Sequence, residues 1–201
     1  MSREILEIVQ KINPKALETQ FILQCASLIA GLKPSNLLII SKGNEKNVRR
    51  ILKGTFLSFL TLARMEDKTT LLIYDPLLLQ QYLTRDDVQI FLQELGHQEK
   101  DLSELLREVQ RRYEAYANKT GDFPHELGLL LGYPVEDVRG YIMHKGKNAL
   151  CTGYWQVYEN PVEKKTIFQK YEEAKEKFIR LFSNGTGLKE LLATPKYYYH
   201  C

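Results

Sequence analysis

The chain predicts an α+β fold, a small and mainly antiparallel sheet of about four strands packed against several helices. Three observations carry the prediction. Segments with strand character gather in clusters instead of alternating regularly with helices. The longer helical segments carry apolar stripes at i, i+3 and i+4 spacing. Neither a Gly-rich dinucleotide fingerprint nor a P-loop run occurs, which removes the signatures of nucleotide-binding parallel sheets.

Residues 16–30 form a helix on which Leu17, Phe21, Cys25, Leu28 and Leu32 share a face, and Gly31 and Pro34 end it. Residues 36–41 are a short buried strand, and 43–53, polar and basic, a short surface helix. Residues 55–64 and 69–75 have strand character, with Glu66-Asp67-Lys68 as the hairpin turn between them. Pro76 opens a helix to Leu83, and Thr84 is the N-cap of the next, which runs to Gly96. Residues 101–118 form a longer helix, with Leu102, Leu105, Leu106, Val109 and Tyr113 inward and Glu alternating with Arg outward. Two short helices follow, one over 124–131 capped by Asp122 and one over 134–143 started by Pro134. Residues 149–158 form a strand, and 160–182 a long, charged amphipathic helix. Residues 1–182 thus make one domain, and 183–201, ending in Tyr-Tyr-Tyr-His-Cys, a C-terminal extension.

Composition narrows the function classes. The 201 residues are 44% hydrophobic and 26% charged, as in ordinary globular domains. A net charge of +3 weighs against a nucleic-acid partner, and the basic residues at 42, 46, 49, 50 and 53 have no aromatic platform among them. No apolar run is long enough for a membrane span. Acidic residues stand where a signal peptide needs bases, so a cytoplasmic location is expected. Cys25, Cys151 and Cys201 are odd in number with no Cys-x-x-Cys spacing, which indicates neither a disulfide framework nor a four-thiolate zinc site.

Residues 123–158 are the densest in unusual chemistry. His125 and Glu126 follow Pro124 in the first turn of a predicted helix, where the partial positive charge favours a Glu126 carboxylate and a neutral His125 imidazole. A neutral imidazole suits a general base or a metal ligand. Helix capping and a hydrogen bond to a neighbouring loop explain the same pair without chemistry. Leu129 occupies the position where a zincin helix needs its second His. Gly132-Tyr133-Pro134 punctuates two helices, and Gly140 within a helix marks close packing. Trp155 beside Cys151 reads as core packing or as a pocket wall.

Phe123-Pro-His-Glu-Leu-Gly, Leu131-Gly-Tyr-Pro-Val-Glu-Asp-Val-Arg-Gly-Tyr and Gly153-Tyr-Trp-Gln-Val-Tyr resemble the bacterial domain-of-unknown-function 3793 family. Cys25-Ala-Ser-Leu-Ile-Ala-Gly-Leu-Lys-Pro-Ser-Asn-Leu resembles the family's other hallmark, which has Pro in place of Ser27. The resemblance implies an intracellular bacterial protein, stops near Phe182, and implies no substrate.

Three functional readings follow. In the first, a cysteine-dependent acyl-transfer or hydrolase enzyme uses Cys25 as nucleophile and His125 as base, with Glu126 or Asp137 orienting the imidazole and Lys33 lowering the thiol pKa. It requires Cys25 Sγ within about 4 Å of a His125 ring nitrogen. Asn36, Tyr133, Tyr154 and Trp155 complete the candidate pocket. In the second, His125 and Glu126, with a Cys, hold zinc or iron in a non-catalytic accessory protein. In the third, the charged helices over 101–118 and 160–182 make an interaction module. The expected partner is an unidentified small molecule or protein.

Overall fold

The computed structural model describes residues 3–97 and 101–193. At its centre lies an antiparallel sheet of three strands, β1 (Ser35–Ser41), β2 (Ser58–Arg64) and β3 (Lys68–Tyr74), in the order β1-β3-β2. β3 is central because it is apolar on both faces: Leu71 and Ile73 enter one core and Leu72 the other. Both outer strands have their edges covered. The Gln24 side chain accepts from Ile39 N–H at 3.0 Å and donates to Ile39 C=O at 3.4 Å, standing in for a neighbouring strand beside β1. On β2, Gln110 donates to Thr61 C=O at 2.6 Å, next to a bulge between Thr61 and Ala63.

Helices cover both faces. On one side pack α1 (Arg3–Lys11), α2 (Leu17–Ile29), α3 (Glu45–Leu52), α9 (Pro161–Ser183) and α10 (Leu188–Ala193). Phe21, Cys25 and Leu28 of α2 meet Leu38, Ile73 and Phe178 there, all fully buried. α2 ends as expected at Gly31 (φ +72°): Leu32 N–H bonds to Ser27 C=O and Gly31 N–H to Leu28 C=O. On the other side pack α4 (Pro76–Leu83), α5 (Asp86–Glu94), α6 (Leu102–Ala117), α7 (Glu126–Leu130) and α8 (Val135–His144) around Leu72, Leu79, Val88, Val109 and Leu129. A two-stranded hairpin, β4 (Cys151–Thr152) and β5 (Gln156–Val157), makes a third cluster in which Trp155 and Val157 lie against Tyr171 of α9.

The α+β class stands, and several elements differ from expectation. Residues 149–158 hold a hairpin, not one strand, reversed at a Gly153 N–H bond to Trp155 C=O at 3.0 Å, and Gly153 lies so close to the Phe168 ring that no side chain fits there. Thr84 ends α4, its hydroxyl donating to Gln81 C=O at 3.1 Å, and the N-cap of α5 is Arg85, whose side chain makes no capping bond. The side-chain cap that the sequence analysis does not include is Asp75, before Pro76, which accepts from the N–H groups of Leu77 (2.9 Å) and Leu78 (3.3 Å). α7 begins at Glu126, beyond the reach of an Asp122 cap. Beyond residue 182 the chain continues into α10, whose Leu188, Leu191 and Leu192 are buried in the first core. The Tyr-rich end at 196–201 lies outside the described residues. Among the described residues no helix is long and apolar enough to cross a membrane.

Candidate functional site

The two hallmark segments meet. The turn after α2 packs on the turn between α7 and α8, where Ser35 Oγ donates to Leu130 C=O at 2.6 Å. Gly132 sits there at φ +73°, and a methyl group on it would stand 2.5 Å from Pro34 Cδ. Conformation and space therefore both demand glycine. Lys33 stands with its ammonium 5.4 Å from the Tyr133 ring centre and donates to Asn36 Oδ1 at 2.8 Å. Asn36 in turn donates to the carbonyls of Gln24 and Leu37. Tyr133 C=O accepts from Tyr82 OH at 2.6 Å, which ties the turn to α4.

That junction does not run through Cys25 and His125. Cys25 is fully buried in the first core, and burial pushes its thiol up to about 12, against the opposing pull of Lys33. Burial likewise pushes Lys33 down to about 8, against the opposing pull of Cys25. A thiol in that state is un-ionised at neutral pH and a poor nucleophile. The charged groups acting on His125 are different ones, Glu126, Arg112 and Asp122. No hydrogen bond joins Cys25 to His125 among the described residues, and the two sit in different parts of the fold.

His125 lines a cleft of about 260 Å³ between the α7–α8 pair and the β4–β5 hairpin. Its ring lies between Phe123 (centroids 5.6 Å apart) and Tyr141 (5.8 Å). Tyr133, Tyr154 and Trp155 complete the aromatic wall. His125 is half-buried, and that burial holds its pKa below the ordinary imidazole value, Arg112 adding to the effect and Glu126 and Asp122 opposing it. The neutral imidazole expected from the sequence is thus favoured, with desolvation as the main cause; α7, a helix of five residues, is too short for a strong dipole. The imidazole makes no hydrogen bond to any described residue.

The two carboxylates expected to orient that imidazole are engaged elsewhere. Glu126 turns away from the cleft and is 1% exposed, with Oε1 2.7 Å from Arg112 Nη1 and 3.5 Å from His97 Nε2. His97 Nδ1 lies 3.4 Å from Glu108, so the cluster ties α7 to α6 and to the end of α5. Asp137 accepts from Trp155 Nε1–H at 2.6 Å, Tyr158 N–H at 2.7 Å and Glu159 N–H at 3.2 Å, which joins α8 to the hairpin. Its carboxylate is an anchor for the indole. Tyr154 OH donates to Glu172 at 2.7 Å, and Trp155 stacks on Tyr133 at 5.1 Å and meets Phe168 edge-on at 4.5 Å.

With Glu126 and His125 facing apart, they do not form a ligand pair. Among the described residues no group of three or more His, Cys, Asp or Glu stands close enough to hold a metal ion. Phe123, Tyr141 and Gln156 also line the cleft and were not among the expected site residues; their signal in the sequence was that all three stand inside the hallmark segments. Gly128 keeps the cleft floor low, since a methyl group there would stand 2.9 Å from Val138.

No curated protein and no solved structure is similar enough to this chain to count as a match. The model of one family does match, over residues 21–192, and therefore into α10, beyond the limit near Phe182 expected from the sequence. With both hallmark segments inside that span and packed on each other, the chain belongs to the family described as "Protein of unknown function (DUF3793)".

Proposed function

We propose that this is a cytoplasmic binding protein for a small, uncharged, planar aromatic compound, held in the cleft beside Trp155. The observation that carries the reading is His125: a half-buried imidazole in an aromatic-walled cleft, with no hydrogen bond to any described residue. Such a site offers faces for stacking and one edge for a directed hydrogen bond. Gln156 adds a donor, because its Oε1 already accepts from Tyr158 OH at 2.8 Å and its amide nitrogen remains for a ligand. An uncharged ligand fits because Asp137, the carboxylate in the lining, is committed to three donors.

A cysteine-dependent enzyme would need the Cys25 thiolate at the cleft. The burial of Cys25 in the first core and its raised pKa count against that reading. A metal-binding accessory role lacks a ligand cluster among the described residues.

Trp155 is the only tryptophan, so its emission reports on the cleft alone. The test is a quenching titration with neutral bicyclic heteroaromatics, and with aliphatic compounds of equal volume as controls. The expected result is saturable quenching by aromatics only, weakened roughly 5- to 10-fold by His125→Ala, the worth of about one hydrogen bond. Absence of saturation across the panel, or an affinity indifferent to His125→Ala, overturns the proposal.

A further inference from the structure

A second candidate site lies on α3 and the strands beside it, and it depends on nothing in the cleft. Lys46, Arg49, Arg50 and Lys53 fall at i, i+3, i+4 and i+7 along α3 and its C-cap, all four exposed. Among the described residues none of them has a carboxylate partner. Glu45, the one acid of α3, is taken by Arg64, with Nη2 to Oε2 at 2.7 Å and Nε to Oε1 at 2.9 Å. Four uncompensated cations thus line a stretch of about 10 Å of helix. The partial negative charge at a helix C-terminus accounts for one or two of them, not for four.

The sequence shows no aromatic residue among these cations, and the fold supplies two. Arg49 and Lys53 form the rim of a groove of about 380 Å³, with Leu57, Ser58, Phe59 and Tyr74 in its walls. The Arg49 guanidinium lies 5.2 Å from the centre of the Phe59 ring. Phe59 comes from β2 and Tyr74 from β3, which places aromatic surface beside the cationic stripe. Stacking surface next to unpaired cations is the arrangement by which proteins hold nucleotides without reading their sequence.

We infer that this groove and the α3 stripe bind nucleotide phosphates, with a base against Phe59, one phosphate between Arg49 and Lys53, and Lys46 and Arg50 facing neighbouring phosphates. The same chemistry comes from a free nucleotide or from a single strand. The occupancy of the whole stripe, as against the groove alone, distinguishes them.

The experiment is fluorescence polarisation of a labelled thymidine 12-mer on the full chain, competed with thymidine monophosphate and with an abasic 12-mer. The expected result is binding at low salt that weakens as salt rises, with a log–log slope of about −2 to −3 for three to four phosphate contacts on a single strand. Lys46→Gln/Arg50→Gln reduces that slope by about 1.4. Phe59→Leu weakens the thymidine 12-mer several-fold and leaves the abasic one unchanged. Competition by the monophosphate at the same concentration as the unlabelled 12-mer identifies a free nucleotide as the source; a requirement for the 12-mer identifies a strand. No binding of either at 20 mM salt overturns the inference, and so does binding that ignores both the α3 charges and Phe59. Circular dichroism and Trp155 emission confirm that each variant is folded.

Discussion

Asp137→Asn is the most informative single substitution in the cleft wall. The carboxylate is 2% exposed and accepts three hydrogen bonds, two on Oδ1 from Tyr158 and Glu159 N–H and one on Oδ2 from the indole of Trp155. Asparagine has the same shape and one acceptor oxygen. Whichever way it turns, its NH2 group faces a donor: the indole N–H in one orientation, the two backbone N–H groups in the other. A buried indole N–H without an acceptor costs about 1–3 kcal/mol, and turning two charge-assisted bonds into neutral ones costs roughly 0.5–1 kcal/mol more. The expected loss is about 2–4 kcal/mol, a large share of the ~5–15 kcal/mol of a typical domain. Urea unfolding followed by Trp155 emission and by far-ultraviolet circular dichroism measures it. Trp155→Phe removes the indole donor, so Asp137→Asn should cost about 1 kcal/mol less in that background. A single variant within 0.5 kcal/mol of the parent refutes the anchor role of Asp137 on which the cleft geometry rests.

Three further outcomes follow from the junction of the hallmark segments. Gly132→Ala should destabilise by about 2–4 kcal/mol, combining the left-handed backbone with the contact at Pro34, as read by the urea midpoint. Native-state alkylation with peptide mapping should label Cys151 readily and Cys25 only on unfolding; rapid labelling of native Cys25 would contradict its burial. Lys33 falls from 10.5 to about 8 in the folded chain. The unfolded state therefore holds more protons on this amine between those values, so Lys33 by itself adds stability as pH rises from 8 to 10.5, while Cys25, raised from 9.0 to about 12, removes stability above pH 9 in parent and variant alike. Measured against Lys33→Met, which does not titrate, that gain should reach up to about 3 kcal/mol, and a flat difference across the window refutes the buried-amine reading.

Much of the architecture was legible because local signals agreed with the packing. The α2 stripe of Phe21, Cys25 and Leu28 with Gly31 beyond it, Pro76 at the start of α4, and the apolar run of β3 each carry their environment in their spacing. The hairpin at 151–157 was not legible, because Gly153 read as one residue of a continuous strand and only the folded chain shows the Phe168 ring of the following helix against it. The site was partly legible. His125, Tyr133, Tyr154 and Trp155 do line one cleft. Glu126 read as a partner of His125 because they are adjacent in sequence, yet adjacent residues on a helix point in different directions, and Arg112 with His97 claims the carboxylate. Cys25 read as a nucleophile by its place in a hallmark, while its place on the apolar stripe already argued for the core position it occupies. The spacing of α3 does not reveal that Phe59 meets its cations; the contact with Arg49 appears only in the folded chain.

The central claim, that the cleft takes an aromatic ligand with His125 as its polar contact, is tested most directly by the ring signals of His125 in a proton–carbon correlation spectrum, assigned by their loss in His125→Gln. On addition of the tightest planar compound from the quenching panel, the account predicts that the His125 signals move to saturation while those of buried His97 stay in place. A ligand that saturates the protein and leaves the His125 signals where they were contradicts it.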